Sequence, residues 1–362
     1  MKPEINKPLF RKDAREEAIF REICTAVNNY LKNNKVSKLQ LILKFSLYFG
    51  LFIISYLLLY FIHDTYILYT SYIAIVLLHV LLGLNFAHDF AHNAIFKSKK
   101  LNNTVFEFLF ALMGLNGYLW KKRHTHSHHN YPNTEGYDVD IELGSVIYLS
   151  ENGRPQKHHT WQYIYGPLLY GIYTLYWIFY KDIVLFFQKQ HANLHFKQHE
   201  RKEHFKLWLF KLLYTFYMII LPLLFSPFTV DQVLLAFVIA HFISAWFLLF
   251  TFLITHHVEN TQYFHAEKNA LTSTSWLMHQ VGSSNDFHPF SKTANFIFGG
   301  FNCHVAHHLF PGVCHTQYPQ VSQIVYAVLT RNNISPNKTS FLGGVGSHIR
   351  LLKQLGKPVN QR

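Results

Sequence analysis

Three stretches of this chain carry histidines at the spacing that places imidazoles on one side of a helix. Residues three or four positions apart share a helix face. In chain order the stretches contribute His88 and His92; His124, His126, His128 and His129; and His304, His307 and His308. Neutral imidazole is a strong ligand for transition metals. The pattern therefore predicts a metal site that gathers all three stretches.

The number of histidines indicates more than one ion. On an ideal α-helix His128 lies about 40° and His129 about 140° from His124, whereas His126 lies about 200° away. His126 is therefore expected outside the site, which leaves eight imidazoles. Eight nitrogens exceed what one tetrahedral or octahedral ion can use, and they suit iron, copper, zinc or nickel. We predict two ions; a zinc site with three protein ligands is the competing possibility, and metal stoichiometry separates the two.

Composition indicates a membrane environment for these histidines. Half of the 362 residues are hydrophobic, 17% are aromatic, and the net charge is +13. The basic residues flank apolar segments, so an anionic membrane surface explains them better than nucleic acid does, and no nucleic-acid partner is expected. With three cysteines and no CxxC pair, neither a disulfide framework nor a thiolate metal site is expected. The polar N-terminus lacks the apolar core of a cleavable signal peptide.

Four apolar stretches are long enough to cross a hydrocarbon core of ~30 Å. They cover residues 39–62, 66–87, 208–225 and 233–254 and pair as two hairpins. Two more apolar stretches, 105–120 and 163–187, are too short or too interrupted, so interfacial helices are expected there. The predicted fold is all-α and integral to the membrane, with four transmembrane helices and a histidine-rich cap.

Charge predicts the orientation. Neither hairpin tip carries Lys or Arg, whereas the N-terminal arm, the middle of the chain and the tail are rich in both. By the positive-inside rule the arm, the cap and the tail are expected in the cytoplasm. The expected divisions are a cytoplasmic arm at 1–38, a membrane domain at 39–335 and a cytoplasmic tail at 336–362.

The histidine stretches resemble the three histidine boxes of integral-membrane fatty acid desaturases. The motifs are His88-Asp-Phe-Ala-His92, His124-x-x-x-His128-His129 and His304-x-x-His307-His308. The resemblance covers roughly residues 40–335. The sequence after the second and third boxes looks like a bacterial acyl-CoA desaturase branch that also contains front-end enzymes.

The resemblance implies a di-iron centre. By residue, it implies His88, His92, His124, His128, His129, His304, His307 and His308 as iron ligands. A ninth ligand is expected just after the fourth span, where His257 matches best, His256 is its neighbour and His279 is the fallback. Carboxylates such as Asp89 and Asp138, and also Asp140, would support the ligands from outside.

The resemblance also implies the reaction: O2-dependent introduction of a double bond into a long acyl chain, linked to coenzyme A or to a lipid. The third box begins with His304 where front-end members usually have Gln, so regioselectivity stays open. No fused cytochrome b5 domain is expected, and electrons would come from a separate ferredoxin or cytochrome b5-type protein. The implied location is a bacterial inner membrane, with the site and both termini cytoplasmic. The alternatives are a di-iron hydroxylase and, from another class, a zinc-dependent membrane hydrolase.

Overall fold

The structure is a computed structural model that describes residues 9–142, 146–149, 155–195, 199–266, 270–271 and 273–357. The first half contains the helices α1 (Ala14–Asn33), α2 (Lys38–Phe61), α3 (Thr65–Leu82), α4 (His88–Ala91), α5 (Lys99–Leu112), α6 (Gly117–Arg123), α7 (Gln162–Tyr170), α8 (Tyr173–Tyr176) and α9 (Asp182–Phe187). The second half contains α10 (Arg201–Thr215), α11 (Leu221–Phe225), α12 (Val230–His256), α13 (Trp276–Ser283), α14 (Lys292–Phe298), α15 (His304–Leu309), α16 (Tyr318–Arg331) and α17 (Phe341–Leu355).

Strands are few and short. β1 (Leu9–Phe10) pairs in parallel with β4 (Ala270–Leu271), β2 (Gln190–His191) pairs antiparallel with β3 (Leu194–His195), and β5 (Asn285–Phe287) pairs in parallel with β6 (Asn337–Thr339). π-helical turns continue directly from helices at Gly83–Ala87, His124–His128, Trp177–Lys181 and Phe216–Ile220. The predicted all-α class is therefore confirmed.

Four helices of the described chain are long and apolar enough to cross a membrane. They cover Lys38–Phe61, Thr65–Ala91, Arg201–Phe225 and Val230–His256, so the four predicted spans are present. Three of them are longer than predicted, because the helices continue past the apolar stretches into more polar residues: at His88–Ala91 in the second span, at 201–207 in the third and at both ends of the fourth. At the tip of the first hairpin Asp64 caps the start of α3, where its side chain accepts a hydrogen bond from the backbone N–H of Ile67 (3.0 Å).

The second and fourth spans form the centre of the membrane bundle. Of the most apolar part of each span, 56% is buried inside the protein in the second span and 44% in the fourth, compared with 22% in the first and 28% in the third. The first span exposes Leu43, Leu47 and Leu51 on one side, as expected for a surface against lipid. The central pair ends in the cap, and its last residues enter the histidine cluster described below.

Helices α7, α8 and α9 lie against the bundle with an exposed apolar side. Ile164, Leu168, Ile172 and Tyr176 recur every fourth residue and are 45–58% exposed. None of these three helices has the length of a span. The stripe fits the predicted interfacial location.

The cap is built from the C-terminal helices and from the N-terminal helix α1. Ile19, Ile23 and Val27 of α1 are buried in one cluster with Val321 and Val325 of α16. The expected arm thus contains a helix packed on the cap. Residues 1–8 of the arm and 358–362 of the tail lie outside the described residues, and the division into arm, domain and tail stays a prediction.

Candidate metal centre

The first box begins directly after a π-helical turn in the second span. The turn Gly83–Ala87 inserts one residue into the helix just before His88. Asn85 stabilises this turn, because its side-chain amide donates to the carbonyl oxygens of Leu81 and Ile297, both at 2.9 Å. His88 and His92 follow, and both rings are aimed into the cap.

The second box is itself a π turn, and this changes which of its histidines lie together. The N–H of His129 donates to the carbonyl oxygen of His124 at 3.0 Å, five residues back. His129 therefore lies beside His124, with 3.0 Å between their Nε2 atoms. His128 lies with His256, His304 and His308 instead, although ideal α-helical geometry would place it nearer to His124 than His129 is. His126 is exposed and lies outside the cluster.

The third box is the short helix α15, which starts after a sharp bend. Gly299 and Gly300 both have positive φ (60° and 89°), and a Cβ at Gly299 would lie 2.5 Å from the carbonyl oxygen of Leu84. Only glycine fits such a close approach. The bend turns α15 back toward the second span, so that the third box meets the first.

Five imidazoles form one group. His88, His92, His124, His129 and His307 offer ring nitrogens that all lie within 4.8 Å of one another. The Nε2 atom of His124 is 3.1 Å from that of His88 and 3.0 Å from that of His92. The Nε2 atoms of His129 and His307 are likewise 3.0 Å apart.

Four more imidazoles form a second group. His128, His256, His304 and His308 also offer nitrogens within 4.8 Å of one another, and all four are buried. The Nε2 atom of His256 lies 2.7 Å from that of His304 and 3.1 Å from that of His308. The structure thus brings together all eight histidines of the boxes.

Of the three candidates for the ninth position, the structure places His256 among the other imidazoles and leaves His257 and His279 outside both groups. His256 is the last residue of α12, so its ring follows the helix into the cluster. At His257 the backbone leaves the helix (φ −125°, ψ 67°), and its Nδ1 atom lies 2.9 Å from the hydroxyl of Tyr263. The fallback, His279, contacts the hydroxyl of Thr134 instead (3.0 Å). Sequence spacing could not distinguish His256 from His257, because the choice depends on the residue at which α12 ends.

Hydrogen bonds from outside orient several of the rings. In each case an acceptor faces Nδ1, which places the proton there and leaves the Nε2 lone pair directed into the cluster. The pairs are His256 with the carbonyl oxygen of Ser283 (2.9 Å), His308 with Oε1 of Gln280 (2.8 Å), His307 with the hydroxyl of Tyr318 (3.1 Å) and His128 with Oδ2 of Asp138 (3.2 Å). This tautomer is the one a metal ligand needs.

Burial keeps most of these imidazoles neutral. It lowers the pKa of His92 to about 4, and together with the neighbouring rings it lowers the pKa of His124 and His129 well below the usual value. The pKa of His307 is lowered for the same reasons. For His128, burial also lowers the pKa, but the Asp138 carboxylate opposes it and the net pKa is raised. Neutral rings have the free lone pair that metal binding requires.

The donor set fits two transition-metal ions. Five imidazoles in one group exceed the four positions of a tetrahedral zinc site, and the second group offers four more. Nitrogen donors suit iron, copper, zinc and nickel rather than magnesium or calcium. Of the expected supporting carboxylates, Asp138 contacts His128 directly, and Asp140 pairs with Arg123 at 3.2 Å.

Asp89 supports the first box indirectly, through a residue that spacing did not reveal. Its Oδ2 atom accepts hydrogen bonds from the backbone N–H (2.9 Å) and Nδ1–H (2.8 Å) of His315. On its other side His315 contacts the buried ammonium group of Lys44 at 3.0 Å. The sequence shows only that one more histidine, His315, follows the third box closely.

An apolar cavity extends from the cluster into the membrane bundle. Along the second span its wall runs from His88 to Val76, and twelve residues of helix correspond to ~18 Å. His79 and His241 line it; His79 bonds to the hydroxyl of Tyr217 (3.1 Å), and both ring nitrogens of His241 contact hydroxyl groups. The depth is close to half of a ~30 Å hydrocarbon core, which is the reach of one lipid tail.

Comparisons with known proteins fit this site. The family model described as "Fatty acid desaturase" matches residues 43–340. The chain is 29% identical to the "Acyl-lipid (8-3)-desaturase" of Physcomitrium patens, over 86% of this chain and 66% of that protein. It is 29% identical to the "Acyl-lipid (8-3)-desaturase B" of Dictyostelium discoideum (78% and 64%) and 28% identical to the "sn-1 linoleoyl-lipid 6-desaturase" of Synechocystis sp. (76% and 77%). The chain thus spans slightly less than two thirds of the first two relatives.

Proposed function

The chain belongs to the fatty acid desaturase family, and from that premise we propose that it introduces a double bond into a long acyl chain in an O2-dependent reaction. Membership of the family makes it an oxidoreductase that acts on fatty acids. The observation that carries the proposal is the apolar cavity, because it ends at His88, a member of the five-imidazole group. An acyl tail in this cavity would have its carboxyl-side carbons directly below the cluster.

We propose that the nine imidazoles hold two iron ions. His88, His92, His124, His129 and His307 would hold one, and His128, His256, His304 and His308 the other. Bound iron would supply the O2 chemistry that removes hydrogen from an unactivated methylene. The protein's own part is to hold the lone pairs of nine imidazole nitrogens in place and to keep water away from the reacting carbons.

The cavity wall would orient the acyl chain. Trp120 and Phe301 line its upper end, and the indole of Trp120 stacks on the ring of His124 with 4.5 Å between centroids. Flat apolar groups at this point would hold the chain against the imidazoles and exclude solvent, so that binding energy from the tail fixes the reacting carbons. The hydroxyl and imidazole groups deeper in the wall bond mainly to one another, which leaves an apolar lining.

A lipid-linked acyl chain is the substrate we favour. The matched relatives are named for acyl-lipid and linoleoyl-lipid substrates, whereas the sequence left coenzyme A and lipid open. A cavity that extends ~18 Å from the cluster would hold most of the tail, from the reacting carbons to the methyl end. The new double bond would therefore form toward the carboxyl end of the acyl chain. His304 in place of Gln does not contradict this, because it supplies a nitrogen to the second group.

We also propose the orientation and the redox partner. The cap and both described ends of the chain would face the cytoplasm, supported by basic residues on this side and by hairpin tips without Lys or Arg. A separate ferredoxin or cytochrome b5-type protein would deliver electrons there. The bacterial inner membrane stays a prediction, since the matched relatives come from a moss and a slime mould as well as from Synechocystis.

Expression in a host without polyunsaturated lipids tests the function. Mass spectrometry should locate a new double bond in the host lipids. Replacing His308, which lies in the second group, by Ala should abolish it. The control H126A removes an exposed histidine that lies within the second box but outside both groups, and it should keep most of the activity. A hydroxylated product instead would assign hydroxylation, and an unchanged lipid profile with the wild-type protein would contradict both.

A further inference from the structure

One buried carboxylate accompanies each histidine box. Asp89 belongs to the first box, Asp138 bonds to His128 of the second, and Asp286 contacts the third; they are 2%, 0% and 0% exposed. Asp89 and Asp138 each bond to a histidine ring. Asp286 differs from the other two, because its hydrogen-bond partners are neutral groups.

Asp286 is held rigidly against the start of the third box. It lies in β5, which is paired with β6. Its Oδ1 atom accepts a hydrogen bond from the backbone N–H of Val305 (2.9 Å), in the first turn of the helix that carries His304, His307 and His308. Its Oδ2 atom accepts one from the hydroxyl of Tyr326 on α16 (3.0 Å). Within the described part of the chain, no Lys, Arg or His forms an ion pair with it.

A metal-loaded cluster has a charge problem that this carboxylate can solve. An imidazole that binds a metal ion is a neutral donor, so two divalent ions held by nine imidazoles would bring roughly four positive charges into a buried site. Burying unbalanced charge is strongly unfavourable. A carboxylate without a cationic partner is costly for the same reason. The two costs offset each other only when the metal is present.

We infer that Asp286 is a positioning residue for the third box whose negative charge balances the metal pair. This inference rests on the proposed metal centre and concerns the group of His128, His256, His304 and His308. The carboxylate acts through the first turn of α15, and it does not bind the metal itself. A neutral Asn side chain could accept the hydrogen bond from the N–H of Val305 equally well. This hydrogen bond alone therefore does not require the negative charge of Asp286.

The test compares full-length wild type with D286N and Y326F, purified in detergent. D286N keeps a side-chain oxygen for Val305 and removes the charge; Y326F removes one hydrogen bond and keeps the charge. For each protein, bound iron is counted by elemental analysis, and the unfolding temperature is measured without metal and with added Fe(II). D286N should bind Fe(II) ten- to a hundredfold more weakly at one of two sites, as is typical when a group supporting a ligand is removed.

The readouts separate charge from structure. In D286N, iron should fall from two per chain toward one, the rise in unfolding temperature caused by Fe(II) should shrink, and the metal-free unfolding temperature should not fall. Y326F should hold two irons. Equal iron and an equal Fe(II)-dependent shift in D286N and wild type would overturn the inference alone. A D286N chain that fails to fold without metal would assign the carboxylate to folding and also overturn it. Wild type without iron would overturn the proposed metal centre as well.

Discussion

Gly83 offers a direct test of the cavity as the site of the acyl tail. It lies in the cavity wall five residues before His88, ~7.5 Å along the helix from the cluster. Its backbone is right-handed helical (φ −59°, ψ −57°), so any side chain is allowed. A Cβ there would meet only Met113, at 3.4 Å from Sδ, which is an ordinary contact with a flexible side chain. The variant G83L should therefore fold with its new side chain in the cavity.

The expected loss follows from the methylenes that leucine displaces. A Leu side chain occupies the room of about four methylenes, and each buried methylene contributes ~0.8 kcal/mol. Tail binding should thus weaken by about 3 kcal/mol, which is roughly 100-fold in affinity. We expect a comparable fall in kcat/KM for long acyl chains, and a smaller one for chains too short to pass Gly83.

The assay measures the new double bond by mass spectrometry, together with iron content and unfolding temperature. Iron should be unchanged, because the added side chain would meet only Met113 and the backbone hydrogen bond from His88 N–H to the carbonyl oxygen of Gly83 is kept. The matched control is G50L, at a helical glycine where a Cβ would meet no atom within 4 Å; it should behave as wild type. Wild-type turnover of long chains by G83L would refute the cavity as the tail site, and so would an equal loss of activity in G50L.

Three further predictions follow from the contacts. H256A should lose about one iron per chain and H257A none, by elemental analysis. Burial lowers the pKa of His348 to about 4, whereas an imidazole in the unfolded chain has a pKa of ~6.5. Between these two pH values the unfolded chain binds more protons than the folded protein. The free energy of unfolding should therefore fall as the pH drops from ~6.5 to ~4. The slope of unfolding temperature against pH should be shallower in H348Q, and an identical slope would contradict this. D182N should cost about 3–5 kcal/mol in denaturant unfolding, since it leaves the ammonium of Lys211 (3.2 Å away) buried and unpaired; adding K211M should recover part of the loss, and no recovery would count against the ion pair.

Local patterns were sufficient for the spans and the histidine boxes. Apolar length marks a membrane helix regardless of what packs against it. The i, i+3 and i+4 spacing of His304, His307 and His308 likewise survives in α15, where it places His307 in one group and the other two in the second. Where the helix is regular, periodicity read from the sequence holds in three dimensions.

Irregular helix geometry limited the prediction within the second box and at the ninth position. A π turn is one residue longer than an α turn, and it brings His129 rather than His128 beside His124. At the end of α12 a single change of backbone angle separates His256 from His257. Both outcomes depend on tertiary packing, which spacing does not encode.

Contacts between distant residues were beyond reach for the same reason. Asp89 and His315 are 226 positions apart, and Asp286 meets Tyr326 across 40. The sequence identified Asp89 as a supporting carboxylate but could not name its partner, and it gave no signal for Asp286. The packing of α1 on α16 is likewise a long-range contact, between residues that the sequence assigned to the arm and to the membrane domain.

Metal content tests the central claim most directly. The full-length chain, expressed in iron-rich medium and purified without added metal, should contain close to two irons, because it has one group of five imidazoles and another of four. H308A should contain about one. A wild-type protein with one zinc and no iron would contradict the account.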